Sequence, residues 1–276
     1  MRAYLYNIMF AALLLTGCVK SGEALVGTSA EAGYGKVALN VATQSTIATR
    51  TSGESDRFEL PEEYIPTADE IELRIVGTYL DVDDDLKQKE YDQTFESVAA
   101  YNELLPYIPA GDYTASVYHE GEAGAIFAGE VAFTVVARRL DAEESLTAVL
   151  QNSGLRVEAT TIFLGYFGGG ATLVISTSAG DEFTFVYPTD EEPTILFVDA
   201  ELELYLEGEA TKQPTTESGR AETVTLTKQK IGTTAATTIS RIEVDAAAAG
   251  GATITVKLND TITSYTESDL ELNPFS

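Results

Sequence analysis

The chain has 276 residues, and 44 acidic side chains against 17 basic ones give it a formal net charge of −27 at pH 7. A chain this acidic is repelled by nucleic acid and by anionic lipid headgroups, so neither is an expected partner. Hydrophobic residues make up 44%, too many for a disordered chain, and one cysteine allows no internal disulfide, so a buried core must supply the stability.

The first element is a leader. Arg2 precedes the apolar run Ile8-Met9-Phe10-Ala11-Ala12-Leu13-Leu14-Leu15, which leads through Thr16 and Gly17 to Cys18. The run is shorter than the roughly 20 residues a helix needs to span a bilayer. A basic start, a short apolar stretch and small residues ahead of a cysteine make a lipoprotein signal peptide. Residues 1–17 are expected to be removed and Cys18 to be acylated, most simply with palmitate-type chains. Each buried CH₂ of such a chain contributes about 0.8 kcal/mol, so several chains anchor a protein firmly without a protein span. Outer-membrane lipid, reached through Cys18, is therefore the first expected partner. Residues 18–33 are small and polar with no sustained period, and read as a lipidated tether.

Beyond the tether, apolar residues recur at every second position. Val37, Leu39 and Val41 form the first set, then Ile71, Leu73 and Ile75. Ser97–Leu105 predicts a short helical turn stopped by Pro106 and Pro109. Tyr113, Ala115 and Val117 follow the turn Pro109-Ala110-Gly111-Asp112; Val131, Phe133 and Val135 come next, then Leu146, Ala148 and Leu150. Later sets are Phe183, Phe185 and Tyr187; Leu202, Leu204 and Leu206; Val224 with Leu226; Ile242 with Val244; and Ile254, Val256 and Leu258. A period of two with one polar face is the mark of antiparallel sheet, and turn-rich chains of this kind build sandwiches. About 13 strands exceed the seven to nine of one sandwich. The expected fold class is therefore all-β: two tandem antiparallel β-sandwiches, an N-terminal one over 34–152 and a C-terminal one over 153–276, joined at Gln151-Asn152-Ser153-Gly154.

The segment Ile108-Pro109-Ala110-Gly111-Asp112-Tyr113-Thr114-Ala115 resembles the PAG-x-Y-T turn and strand of a family of surface lipoproteins from Gram-negative anaerobes. Ala128–Val136, Leu155-Arg156-Val157, and Gly250-Gly251-Ala252-Thr253-Ile254-Thr255-Val256 with Asp260-Thr261 continue the likeness in the same order. The resemblance implies a lipid anchor and tandem sandwiches similar to fimbrillin-type adhesins and fimbrial anchors, most without an assigned function. It implies no enzyme and no cofactor.

Asp81-Val82-Asp83-Asp84-Asp85 offers carboxylates of the kind Ca²⁺ takes, but Leu86 stands where an EF-hand loop needs glycine and Asp92 where it needs glutamate, so Asp81, Asp83 and Asp85 are weak metal candidates and a solvated hairpin tip is expected. His119 is the sole histidine, which leaves no His–His metal pair and no catalytic triad with a choice of partners. The chain has no tryptophan, so a carbohydrate platform would fall to Tyr166 and Phe167, placed in a glycine-rich loop. Thr49-Arg50-Thr51 follows the first predicted strand; in polymerising relatives, cleavage after an arginine in this region opens a groove for a neighbour's strand. Asp260-Thr261-Ile262 resembles an Asp-Thr-aliphatic O-glycosylation signal and makes Thr261 the candidate acceptor. The expected role is a surface adhesin or fimbrial accessory at the cell outer membrane, contacting other surface or fimbrial proteins or glycans. The alternative is a glycan-binding lipoprotein of a nutrient-uptake system.

Overall fold

A computed structural model describes residues 33–49, 57–81, 84, 86–189, 193–212, 221–246, 254–258, 261–265 and 270–272. The leader, Cys18 and Arg50 lie outside them.

The first half of the chain folds into β1 (Tyr34–Gly35), β2 (Val37–Thr43), β3 (Thr46–Thr49), β4 (Arg57–Glu59), β5 (Glu72–Asp81) and β6 (Lys87–Phe95). Helix α1 (Val98–Leu104) follows, then β7 (Ile108–Pro109), β8 (Gly111–Glu120), β9 (Ile126–Val135) and β10 (Ala142–Leu150). The second half comprises β11 (Ser153–Ala159), helix α2 (Thr161–Tyr166), β12 (Ala171–Thr177), β13 (Glu182–Tyr187), β14 (Ile195–Val198) and β15 (Glu203–Lys212). It ends with β16 (Glu222–Thr233), β17 (Thr238–Ala246), β18 (Ile254–Leu258), β19 (Thr261–Tyr265) and β20 (Leu270–Leu272). The protein is all-β, as the alternation implies.

The local chemistry explains the elements. In β8, Tyr113, Ala115 and Val117 are buried while Thr114 and Ser116 point away, which is how a strand with one wet face reads. Helix α1 starts where the Ser97 hydroxyl accepts a hydrogen bond from the Ala100 N–H at 3.0 Å, and stops at Leu105, whose φ of 39° lies in the left-handed region. Its buried residues Val98 and Tyr101 fix it on the core.

One six-stranded sheet runs in the order β2-β10-β9-β8-β5-β6, beside a small β1-β7 pair. A second sheet runs β14-β11-β17-β18-β19, with β3 and β4 added against β17, and a third runs β13-β12-β15-β16-β20. The pairing corrects one expectation: the sheets are not wholly antiparallel. Strands β2 and β10 pair in parallel from Val37↔Ala142 to Thr43↔Ala148, β11 is parallel to β17, and β3 is parallel to β17. Alternation shows which side chains face inward but is identical for both strand directions; the long connections between these partners permit parallel pairing.

Two hydrophobic clusters hold the sheets. One gathers Leu39, Leu73, Ile75, Tyr101, Phe127 and Leu150 on the inner face of the six-stranded sheet. The other lies between the remaining two sheets and includes Leu155, Leu173, Leu206, Leu226 and Ile242. The clusters are stitched across Asn152. Ile195 and Ile239, from β14 and β17, pack in the first cluster, Phe197 lies against it, and the Tyr64 and Phe197 rings meet edge-on at 5.4 Å. The Asn152 amide accepts from the Ile126 N–H at 3.2 Å and donates to the Gly124 carbonyl at 2.8 Å. The segment where the sequence suggested a joint is therefore buried and hydrogen-bonded, with β3 and β4 reaching across it.

Candidate functional site

Near the tip of the β5–β6 hairpin, Asp81 and Asp84 meet lysines of the returning strand. Lys89 pairs with the Asp81 carboxylate, the Lys87 ammonium lies 2.8 Å from the Asp84 carboxylate, and Lys89 reaches Asp84 at 3.7 Å. The Asp81 hydrogen bond holds the Lys89 ammonium above its ordinary pKa. Asp83 and Asp85 lie outside the described residues. Among the described residues, no three His, Cys, Asp or Glu side chains converge on a point that could hold a metal ion.

His119 sits near the end of β8, its ring Nδ1 2.9 Å from the Glu70 carbonyl. Glu70 itself is held below the usual carboxylate range, chiefly by the Thr67 N–H and then the Thr67 hydroxyl, with the nearby histidine a smaller cause. The arrangement closes a turn against a strand end.

The glycine-rich segment holding Tyr166 and Phe167 is a helix end rather than a loop. Thr160 caps α2 through its hydroxyl, which accepts from the Phe163 N–H at 3.1 Å. Two large apolar residues four apart, Phe163 and Phe167, then share one helix face and turn inward, with ring centroids 5.0 Å apart. Phe167 is only 2% exposed. Tyr166 is half-buried, edge-on to Phe167 at 5.0 Å, and the Lys212 ammonium lies 4.7 Å from its ring centroid. The two rings therefore do not form a flat open platform.

Thr261 opens β19 directly across from Leu258 of β18; Asp260 is outside the described residues. No helix among the described residues is long and apolar enough to cross a membrane.

Two surface features escaped the sequence reading. A cleft of about 420 Å³ opens between β13 and β14, the outer strands of the two C-terminal sheets, lined by Val157, Phe183, Phe185, Tyr187 and Leu196. Phe183, Phe185 and Tyr187 read only as one more alternating strand, since alternation does not distinguish a central strand from an edge one. A shallower hollow of about 460 Å³ lies beside the β5–β6 tip, lined by Tyr79, Leu80, Leu86 and Gly111. Leu80 and Leu86 there are 56% and 61% exposed, an unusual investment of apolar surface at an otherwise charged tip.

Comparison with solved structures finds likenesses at low identity. A candidate adhesin from Bacteroides ovatus is 9% identical, with a TM-score of 0.39, and the match covers 85% of this chain and 96% of that one. A fimbrial assembly protein from Parabacteroides distasonis is 8% identical, with a TM-score of 0.37, over 82% and 97% of the two chains. The fimbrial anchor protein Mfa2 from Porphyromonas gingivalis is 10% identical, with a TM-score of 0.35, over 84% and 100%. Among curated proteins, none matches the sequence. Residues 32–274 match the model of one family, described as a domain of unknown function, DUF4493, and the chain belongs to that family.

Proposed function

We propose that the protein is a lipid-anchored component of the cell envelope that works by contact, as a surface adhesin or fimbrial accessory. The observation that carries this reading is the sequence Leu15-Thr16-Gly17-Cys18, followed by a polar tether and then a β framework entered at Gly33. Acylated Cys18 holds one end at the outer membrane, and the sheets display hairpin tips and edges to other surface or fimbrial proteins or glycans. The two-unit organisation, 34–152 and 153–276, belongs to this proposal, with the crossing β3–β4 hairpin coupling the units.

Metabolic labelling of the native host with an alkyne-bearing fatty acid tests the anchor. The wild-type protein is expected to carry the label in the membrane fraction, and Cys18→Ser to lose both label and membrane association. Label on the Cys18→Ser protein would overturn the reading. Protease treatment of whole cells then tests display: release of the β framework supports adhesion, whereas full protection assigns the protein to the periplasmic side.

A further inference from the structure

A tethered contact protein is loaded at its tether, so the way the chain enters the fold decides what yields first. The chain enters at β1 and β2. The Gly33 carbonyl accepts from the Ala110 N–H at 2.7 Å, the Tyr34 carbonyl from the Arg138 N–H at 2.7 Å, and the Lys36 N–H donates to the Arg139 carbonyl at 2.9 Å. Strand β2 then runs parallel to β10 through seven aligned residue pairs, Val37↔Ala142 to Thr43↔Ala148, and the Gln44 N–H donates to the Ala148 carbonyl at 2.9 Å. The chain leaves the six-stranded sheet for the second half at the other end of this pair, from Leu150 at the C-terminal end of β10 into β11.

Tension between tether and second half therefore pulls β2 and β10 along their axes in opposite directions, beside a smaller, two-pair hold where β3, which follows β2, runs parallel to β17. In a parallel pair the hydrogen bonds are evenly spaced, so this load falls on the whole ladder together instead of opening it one bond at a time.

The opposite edge of β2 is also held, and by side chains. Asn102 of α1 accepts from the Leu39 N–H at 3.0 Å and donates to the Leu39 carbonyl at 2.7 Å, as a residue of a neighbouring strand would. The Tyr101 hydroxyl donates to the Val37 carbonyl at 2.6 Å. Val37, Leu39 and Tyr101 are all 1% exposed or less, so the Tyr101–Val37 bond is made in a dry core, with the half-buried Asn102 pair beside it.

We propose that β2, gripped by β10 on one edge and by Tyr101 and Asn102 on the other, is a mechanical clamp loaded in shear by tension at the tether. The biological load presumes the anchored reading above; the mechanics belongs to the fold and is measured without a membrane.

The experiment is single-molecule pulling of the full chain, unacylated, through the Cys18 thiol and a C-terminal handle. A second geometry moves the first handle to exposed Glu62, as Glu62→Cys in a Cys18→Ser background, so that β2 lies outside the loaded path. The event of interest is the one that opens the first half, releasing roughly 400 Å of chain in the first geometry and roughly 300 Å in the second. Asn102→Ala is expected to lower its rupture force by about a third through Cys18 and to leave it unchanged through residue 62. Equal weakening in both geometries, or none through Cys18, overturns the clamp. If Asn102→Ala does not fold, Tyr101→Phe, which removes a single hydroxyl, carries the same comparison. Failure of the fatty-acid labelling would remove the anchor while leaving this result intact.

Discussion

Single polar atoms decide a good deal in this protein. Asn152 is 6% exposed and spends both ends of its amide on the backbone of the Gly124–Ile126 turn. Asn152→Ala takes the partner from the half-buried Ile126 N–H and Gly124 carbonyl, at a cost of about 2 kcal/mol. The melting temperature is expected to fall by about 4–8 °C. Asn152→Asp keeps the acceptor but sets a carboxylate against the Gly124 carbonyl, so at neutral pH it should cost at least as much as the alanine variant; a clearly smaller loss would show that the bond to Gly124 carries little of the effect. A second residue-scale effect concerns Tyr101 and Tyr113, buried in the first cluster, and Tyr91, partly buried against it. Burial pushes the Tyr91 phenol up to about 12 from an ordinary value of 10.0. Tyr101 and Tyr113 are raised as well, by burial first and then by the charge that Tyr91 would carry. The folded state thus keeps protons that the unfolded chain gives up, so this stability is complete below pH 10 and disappears as pH rises through 12. Chemical denaturation between pH 9 and 12 should show a steep decline that Tyr91→Phe flattens by up to about 2 kcal/mol. A parallel decline in both proteins would place the titrating groups elsewhere.

At the scale of elements, what the sequence revealed and what it concealed divide along physical lines. Strands with a clear inward set, such as β5 and β8, are plain from Leu73 and Ile75 or Tyr113, Ala115 and Val117. Strand β6, Lys-Gln-Lys-Glu-Tyr-Asp-Gln-Thr-Phe, is an outer strand with polar residues at most positions, so no apolar period betrays it. Parallel pairing was invisible for the reason that makes β2 interesting: direction is set by distant partners, not by the residues that alternate. The Tyr166–Phe167 segment reads as a loop because of glycines at 165 and 168–170, whereas the Thr160 cap and the Phe163–Phe167 spacing make a helical turn. The β5–β6 hairpin supplies an element-scale prediction. Leu86 turns the corner at φ 58°, a left-handed conformation that costs a side chain with a Cβ about 1 kcal/mol, while its own side chain is 61% exposed. Leu86→Gly should therefore raise stability by up to about 1 kcal/mol, and also remove apolar surface from the neighbouring hollow. A loss of stability in urea unfolding would mean that the Leu86 side chain packs in solution against something worth more than the strain.

At the scale of the molecule, the question is whether two clusters make two independent units. The chain argues for coupling, because residues distant in sequence are exchanged across Asn152: β3 and β4 extend the sheet of the second half, and Ile195 and Ile239 fill the core of the first. Ile239 is the sharpest probe. It belongs to β17, it is 1% exposed, and its Cδ1 occupies the space a side chain at Gly154 would need. Ile239→Ala should cost about 2–5 kcal/mol, as large-to-small core substitutions do. The location of the damage matters more than its size. Hydrogen exchange should quicken in β2 and β10 of the first half although the substitution lies in a strand of the second, because the cavity opens in the first cluster. Ile231→Ala, in β16 and confined to the second cluster, is the control and should quicken exchange in β15 and β16 while leaving β2 protected. If both variants disturb only the second half, the clusters are independent units, and load carried by the second reaches β2 through the Leu150–Ser153 backbone and the β3–β17 pairing without a shared core. If Ile239→Ala loosens β2, the shared core is part of what holds the clamp shut, and the crossing hairpin is the structural reason the two halves respond as one.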